Sequence, residues 1–513
     1  MLDRIRNTHP LVYHYFRALE HGEEQLRSIL SIDRYWEQLS LPAPEVVLDG
    51  GKMPAGPAVS GDYDIVCAGG TLGMLHAAVM AVRYGWRVLV IDRGEPARST
   101  RDWNISRGEL LRLSETGVFT EAELDSLIVR RYRTGWVEFH APKERRKRLF
   151  IDDVLDCAVD ADRLLGMAME RVLGTPGSKV AGRTSFRACY RFPDHVVVEA
   201  EGPDGGQLRF RARMLVDAMG IVSPVAMQLN GGRPQTHVCP TVGTIATGFE
   251  DADYEVGEIL ASTEPAEITG RGVGRQLIWE GFPARGEEYI TYLFFYDSVD
   301  SPNDKSLLNL FETYFRKLPD YKQPGAGFTV LRPVFGIIPA WSHDGAGCTR
   351  AVSDDRILLL GDAASLGSPL TFCGFGSMVR NLDRLTSRLD RAMRADTLGR
   401  EALAGISAFE HNVASMANLM KYMCFDAKTD EPNFVNELMN EVMIVLDSLP
   451  PRYRQAMFRD EMTLDELVTV MLKVAWRYPK ILAATWTKLG LQGSAGFVKN
   501  IAGWAMAPST RNS

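Results

Sequence analysis

The chain has 513 residues, of which 45% are apolar and 24% charged, with a formal net charge of −7. That composition excludes a wholly disordered chain, a collagen-like chain and a polytopic membrane protein, and the acidic balance excludes nucleic-acid binding by bulk charge. The seven cysteines, Cys67, Cys157, Cys189, Cys239, Cys348, Cys373 and Cys424, form no C-x-x-C pair, so a reducing compartment is expected and no metal-ligand spacing is present.

Residues 1–60 read as a helical segment followed by a linker. The N-terminus, MLDRIRNTHPLVYHYF, lacks the apolar run and small-residue cleavage site of a signal peptide. No stretch reaches the roughly 18 apolar residues that span a bilayer. A cytoplasmic protein is expected, bound at most to the surface of a membrane. Leu11–Leu30 has apolar residues at helical spacing, and the Pro- and Gly-rich stretch from Pro42 to Gly61 reads as loop.

The clearest segment comes next. Tyr63–Ala68 is a short apolar strand, Gly69–Gly73 a turn, and Met74–Tyr84 a helix that Gly85 stops. Arg87–Ile91 is a second strand, ending at Asp92. This is a βαβ unit of the dinucleotide-binding kind. Its fingerprint needs small residues for a tight turn, for approach of backbone to a diphosphate and for packing of helix on strand. Ala68, Gly70 and Gly73 occupy those places, so alanine replaces the first glycine. The helix start would offer free N–H groups and a positive dipole to a diphosphate. Asp92 stands where an acidic residue takes ribose hydroxyls.

Farther on, Arg213–Gly220 (RMLVDAMG) runs a strand into D-A-x-G. Ile357–Gly376 (ILLLGDAASLGSPLTFCGFG) ends another strand at Gly361–Asp362 and carries Pro369 and Gly374-x-Gly376. Between them the chain alternates short strands with turns, and after about residue 378 it turns helical. Met416, Met420 and Met423 fall on one helical face, which fits ordinary core packing or the lining of a flexible apolar channel.

These three elements, in this order, resemble the FAD proteins of the para-hydroxybenzoate hydroxylase and geranylgeranyl reductase superfamily. The run Arg101–Ser106 (RDWNIS) is unlike the W-x-W-x-I-P of flavin halogenases. It resembles the R-x-W-N-I-S of the cyanobacterial and green-sulfur-bacterial lycopene cyclases and their paralogue. Ser368–Ser377 (SPLTFCGFGS) resembles their S-P-[LV]-S-F-G-G-F-G-S, with Thr371 and Cys373 as departures. The resemblance spans residues 60 to 390.

It implies an α/β fold: a Rossmann-like FAD-binding domain of the glutathione-reductase-2 type, an inserted antiparallel β-sheet substrate domain and a helical C-terminal extension. The corresponding division is 1–60, a helical segment and linker; 61–150, the first part of the FAD-binding domain; 151–345, a mixed FAD and substrate β-sheet domain; 346–390, the last FAD-binding part; and 391–513, a helical region that could face a membrane. The resemblance also implies bound FAD, with Asp362 at the ribityl chain and the helix start at Gly374–Gly376 beside the flavin. The candidate cofactor-binding set is Ala68, Gly70, Thr71, Gly73, Asp92, Arg93, Arg107, Gly361, Asp362, Pro369, Gly374, Phe375 and Gly376. Trp103, Asn104 and Phe372 are candidates to face flavin or substrate.

The implied activity is non-redox cyclisation of lycopene or a related polyene: a double bond is protonated, the carbocation closes a ring, and a proton leaves. FAD would act in its reduced form, with NAD(P)H as reductant. An NAD(P)H-consuming monooxygenase or prenyl reductase, and a non-catalytic carotenoid-binding paralogue, are the alternatives. The reaction needs a carboxylic acid kept protonated by an apolar setting. The acidic F-L-E-E-T motif of the plant-type cyclases is absent. Glu280, after an apolar run and a tryptophan, is the first candidate and Asp297 the second. Glu287–Glu288 reads as a solvated turn and His343–Asp344 as an incidental pair. Cys67 and Cys373 read as small buried thiols.

Two basic features remain. Lys143–Arg148 (KERRKR) reads as a solvated face. The tail from Leu467 to Ser513 has six basic residues, Lys473, Arg477, Lys480, Lys488, Lys499 and Arg511, and no acidic one. With Trp476, Trp486 and Trp504 among them, it suits a helix lying on anionic lipid or an amphipathic helix facing the core.

Overall fold

The computed structural model describes residues 1–507 apart from 141–144, 266–275, 372, 427 and 432–433. Phe372, Lys143 and Arg511 lie outside the described residues.

Two sheets organise the molecule. The first is built on the βαβ unit. Strand Gly61–Ala68 pairs in parallel with Val88–Ile91 on one side and with the end of Gln207–Asp217 on the other. Lys179–Ala181 and Ile357–Leu359 extend the parallel set outward. An antiparallel meander, Ser185–Arg191 and Val196–Glu201, leads into the long strand Gln207–Asp217. The helix between the first two strands, Leu72–Val82, is buried along nearly its whole length. It is apolar all round because it lies between the sheet and the helices Ala161–Leu173 and Gly374–Ala395. The Pro- and Gly-rich stretch is not wholly loop, since Val47–Asp49 pairs with Cys189–Arg191.

The second sheet runs in the order Asp297–Ser298, His237–Phe249, Tyr289–Phe294, Gln276–Pro283, Val256–Pro265, Thr134–Phe139, Arg148–Ile151, with Pro324–Ala340 also beside His237–Phe249. The later strands between residues 151 and 345 therefore divide between both sheets, Thr134–Phe139 and Arg148–Ile151 belong to the second, and Cys157–Val159 forms a small third sheet with Trp103–Ile105 and Ile128–Arg131. Gln276–Pro283 and Tyr289–Phe294 are buried on both faces and accordingly mostly apolar, with Glu280 as the one charged residue and Gln276 and Thr291 as neutral polar ones.

One face of this sheet, with Trp279, Leu293 and Phe335, packs against helix Leu307–Tyr321 and the helices of residues 2–38. Phe16 meets Phe311 edge to face at 5.4 Å, and Tyr15 stacks on Phe315 at 4.2 Å. The contact is capped from both sides. Asp33 accepts hydrogen bonds from Leu307 N–H (2.7 Å) and Leu308 N–H (3.1 Å), and Glu312 accepts from Leu11 and Val12 N–H. Each segment's carboxylate satisfies the open N-terminus of the other's helix.

The opposite face, with Ile278, Phe282, Tyr292 and Tyr296, packs against the C-terminal helices through Met416, Met420 and Met423. The basic run near residue 145 is tied to those helices: Arg145 pairs with Glu441 and Lys147 with Asp447.

Candidate functional site

Open parallel sheets present ligands at the carboxyl ends of their strands. Here Ala68, Asp217 and Leu359 end neighbouring strands, and a cleft opens beyond them. It is lined by Leu72, Gly73 and His76 from the helix start, by Ala218 and Gly220, by Gly361 and Asp362, and by Arg101.

The glycine turn is explained residue by residue. Gly69 takes the positive φ (+111°), and a Cβ there would lie 2.1 Å from Ala218 O. Alanine at 68 is tolerated because that residue is still strand, its carbonyl accepting from Ala218 N–H. A Cβ on Gly73 would lie 2.8 Å from Ala218 Cβ and 2.9 Å from Cys67 Sγ, so glycine sets how closely helix approaches strand. Thr71 donates to Arg98 O. Cys67 and Cys373 are buried thiols, the former pushed up to about 12.

Asp92 differs from the expectation. Its Oδ2 accepts from Gly70 N–H and its Oδ1 from Gly94 N–H, both at 2.7 Å, so it braces the turn from within. Arg93 is exposed beyond the strand. Arg107 is a correction: it forms a bidentate pair with Asp125 beside Arg130 and Arg131 in a surface hollow away from the cleft.

Segment 99–106 joins the two sheets, each residue turned to a different neighbour. Thr100 O accepts from Phe335 N–H. Arg101 pairs with Asp362 at 3.1 Å. Asp102 N–H donates to the Tyr292 hydroxyl, and the Asp102 carboxylate pairs with Arg332 at 2.8 Å. Trp103 stacks on Phe375 at 4.4 Å, linking the segment to the helix start at Gly374. Asn104 Oδ1 accepts from the Tyr132 hydroxyl. Burial raises Asp102 to about 6 despite Arg332.

Pro369 O accepts from the Tyr296 hydroxyl, tying the Ser368–Gly376 run to the second sheet. Asp460, from the C-terminal region, accepts from Thr371 Oγ1 at 2.5 Å. Burial raises Asp460 to about 7, with Arg380 opposing. An unfolded aspartate titrates near about 4. From there up to about 7 the unfolded chain sheds this proton first, so stability falls as pH rises through that window. Asp460→Asn keeps the acceptor for Thr371 and removes the titration. Its melting temperature should match wild type near pH 4 and exceed it above pH 7; equal melting curves at both ends would contradict this.

Glu280 sits on the second sheet opposite Tyr292 in the register, on the face shared with Phe282 and Met416. It is only 7% exposed, and burial holds its carboxyl well above the ordinary range. No charged or hydrogen-bonding group among the described residues offsets that burial. The titratable groups that feel its charge include Cys239, Tyr292, Tyr296 and Tyr321, all neutral at physiological pH because burial raises them. Asp297, the second candidate acid, is also raised by burial, but Lys305 lies 3.8 Å away and Ser298 N–H donates to it. Glu287 is exposed, and His343 is buried with Asp344 outside, so neither pair is an acid–base couple.

The cleft fits FAD on this chain's own geometry. His76 Nδ1 donates to Leu72 O while Nε2, buried at the cleft, has no partner among the described residues. A Cβ built on Gly374 meets no described atom within 4 Å, which leaves room beside that helix start.

No protein-family model matches the chain, and no curated protein sequence matches it. Solved structures do. A geranylgeranyl bacteriochlorophyll reductase-like protein of Thermoplasma acidophilum aligns with TM-score 0.57 and 13% identity, over 83% of this chain and 98% of that one. The halogenase PltM, in complex with phloroglucinol and FAD, aligns with TM-score 0.55 and 14% identity, over 86% and 96%. The p-nitrophenol 4-monooxygenase PnpA of Pseudomonas putida aligns with TM-score 0.52 and 14% identity, over 78% and 98%. The chain has the fold of these proteins.

Proposed function

We propose that the chain is an FAD-dependent enzyme that protonates a long apolar polyene, forming ionone-type rings on an acyclic carotenoid such as lycopene without net oxidation. Glu280 carries the reading: a buried carboxyl with no partner among the described residues, on an apolar face of the substrate sheet, is the arrangement that keeps an acid protonated at neutral pH.

Gly73 and the helix start behind it would meet the diphosphate of FAD, Asp362 its ribityl hydroxyls, and the Gly374 end the flavin ring. When bound and reduced, with NAD(P)H as reductant, FAD would supply an electron-rich plane beside a developing carbocation. Glu280 donates its proton to the terminal double bond. The carboxylate it becomes is the group placed to take a proton back as the ring closes. Phe282, Met416 and Met420 keep water from quenching the cation. Asp102 holds the Tyr292 hydroxyl in place across the strand pair.

A second reading is an NAD(P)H-consuming reductase or monooxygenase. It is favoured by the names of the proteins that share the fold: a reductase-like protein, a halogenase and a monooxygenase. Expression in a bacterial host that accumulates lycopene separates the two. γ- or β-Carotene in the extract, with NAD(P)H needed only in catalytic amount, supports cyclisation. Unchanged lycopene beside a yellow protein that consumes NAD(P)H stoichiometrically on another substrate overturns it.

A further inference from the structure

We propose that the outer faces of the last two long helices, Leu464–Arg477 and Lys480–Met506, form a docking surface for an anionic lipid bilayer. The inference does not depend on the flavin reading.

The surface is apolar where a monomer is ordinarily polar. Trp476 is 85% exposed, Leu491 72% and Trp486 65%, and Leu472, Leu482 and Met506 are exposed to a similar degree. Isolated exposed apolar residues are common, but a set of this size on consecutive helices marks an interaction site. Leu472 and Trp476 are four residues apart on one helix, and Leu482 and Trp486 four apart on the next, so each pair forms one row. The other side of both helices is already used. Leu467, Val470, Val474 and Leu489 pack into the cluster that holds Tyr292 and Met416. The exposed rows are thus a second apolar face, not a displaced core.

Charge identifies the occupant. No acidic residue follows Glu466. Arg477 and Lys488 turn inward to Glu441 and Asp430, whereas Lys473 and Lys499 stand exposed beside the apolar rows. Tryptophan with lysine, and no carboxylate beyond Asp465 and Glu466 in the first turn of the first helix, matches the boundary between acyl chains and anionic headgroups. A second copy on the same face would set lysine against lysine. The helices lie on the bilayer and do not span it: among the described residues no helix is long and apolar enough to cross a membrane. Because the inner side of the same helices packs into the cluster beside Glu280's sheet face, the surface places lipid over the apolar side of the candidate site.

The full chain should sediment with vesicles of phosphatidylcholine and phosphatidylglycerol, less so at high salt, and weakly with phosphatidylcholine alone. Trp476→Ser with Trp486→Ser should lower the bound fraction at least tenfold, with circular dichroism and melting temperature unchanged. Should that pair misfold, Leu472→Gln with Leu491→Gln repeats the test. A wild-type chain that stays in the supernatant with both vesicles overturns the proposal. So does a wild-type dimer that the same substitutions dissociate, since a second copy would then cover the face.

Discussion

Glu280→Gln is expected to lower turnover by a factor on the order of 10²–10⁴, the range that a positioned general acid supplies. Glutamine matches the shape of the protonated carboxyl but has no acidic proton. Substrate binding and FAD content should hold, so the loss falls on kcat and not on KM. Wild-type activity should decline as pH rises through the raised value of this carboxyl, and the decline should vanish in the variant. Stability carries the same sign. Glu280 is held above its unfolded value, so folding loses ground as pH rises, and Glu280→Gln should melt higher than wild type in alkali. Glu280→Asp, shorter by one methylene, should keep a fraction of the rate. A glutamine variant that turns over at the wild-type rate would remove Glu280 from the chemistry.

Gly374→Val is expected to empty the cofactor cleft without melting the protein. No described atom lies within 4 Å of a Cβ built at Gly374, so the unliganded fold accepts the side chain. The branched side chain would stand where the flavin ring is proposed to pass. FAD affinity should fall about tenfold or more, which is about 1.4 kcal/mol. The readouts are the flavin absorbance of the purified protein and its melting temperature with and without added FAD. Gly376→Ala provides the contrast. Its Cβ would lie 2.5 Å from Glu109 Oε1, so it should lower the melting temperature of the unliganded protein as well. A Gly374→Val protein that purifies with wild-type FAD content would place the flavin elsewhere.

The local chemistry of the glycine turn could be read from sequence because a tight turn, a helix start and a strand end lie within thirty residues of one another. Gly73 and Asp362 line one cleft. Glu280 was visible as the single acid in an apolar strand. What the sequence could not show is pairing at a distance. Thr134–Phe139 looks like any alternating strand, and only its partners assign it to the second sheet. Arg107, one of the cofactor-binding candidates, is claimed by Asp125. Asp297 reads like a strand-end acid until Lys305 is placed beside it. Asp92 was expected to point outward to a ligand, yet its oxygens turn back to Gly70 and Gly94. In each case a neighbour remote in sequence, or a turn of the backbone, decides a charge's role.

The mutual capping of the N-terminal helices and Leu307–Tyr321 also bears on the order of events at the ribosome. The helices of residues 2–38 must wait for Asp33 to find Leu307 and for Phe16 to find Phe311. At a synthesis rate of about 5–20 residues per second, that wait is on the order of tens of seconds. During it Phe16, Leu26 and Ile29 have no core to enter. The nascent chain therefore carries an unsatisfied apolar segment until Leu307–Tyr321 has been made, and a chaperone that holds this segment would act before the second sheet is complete.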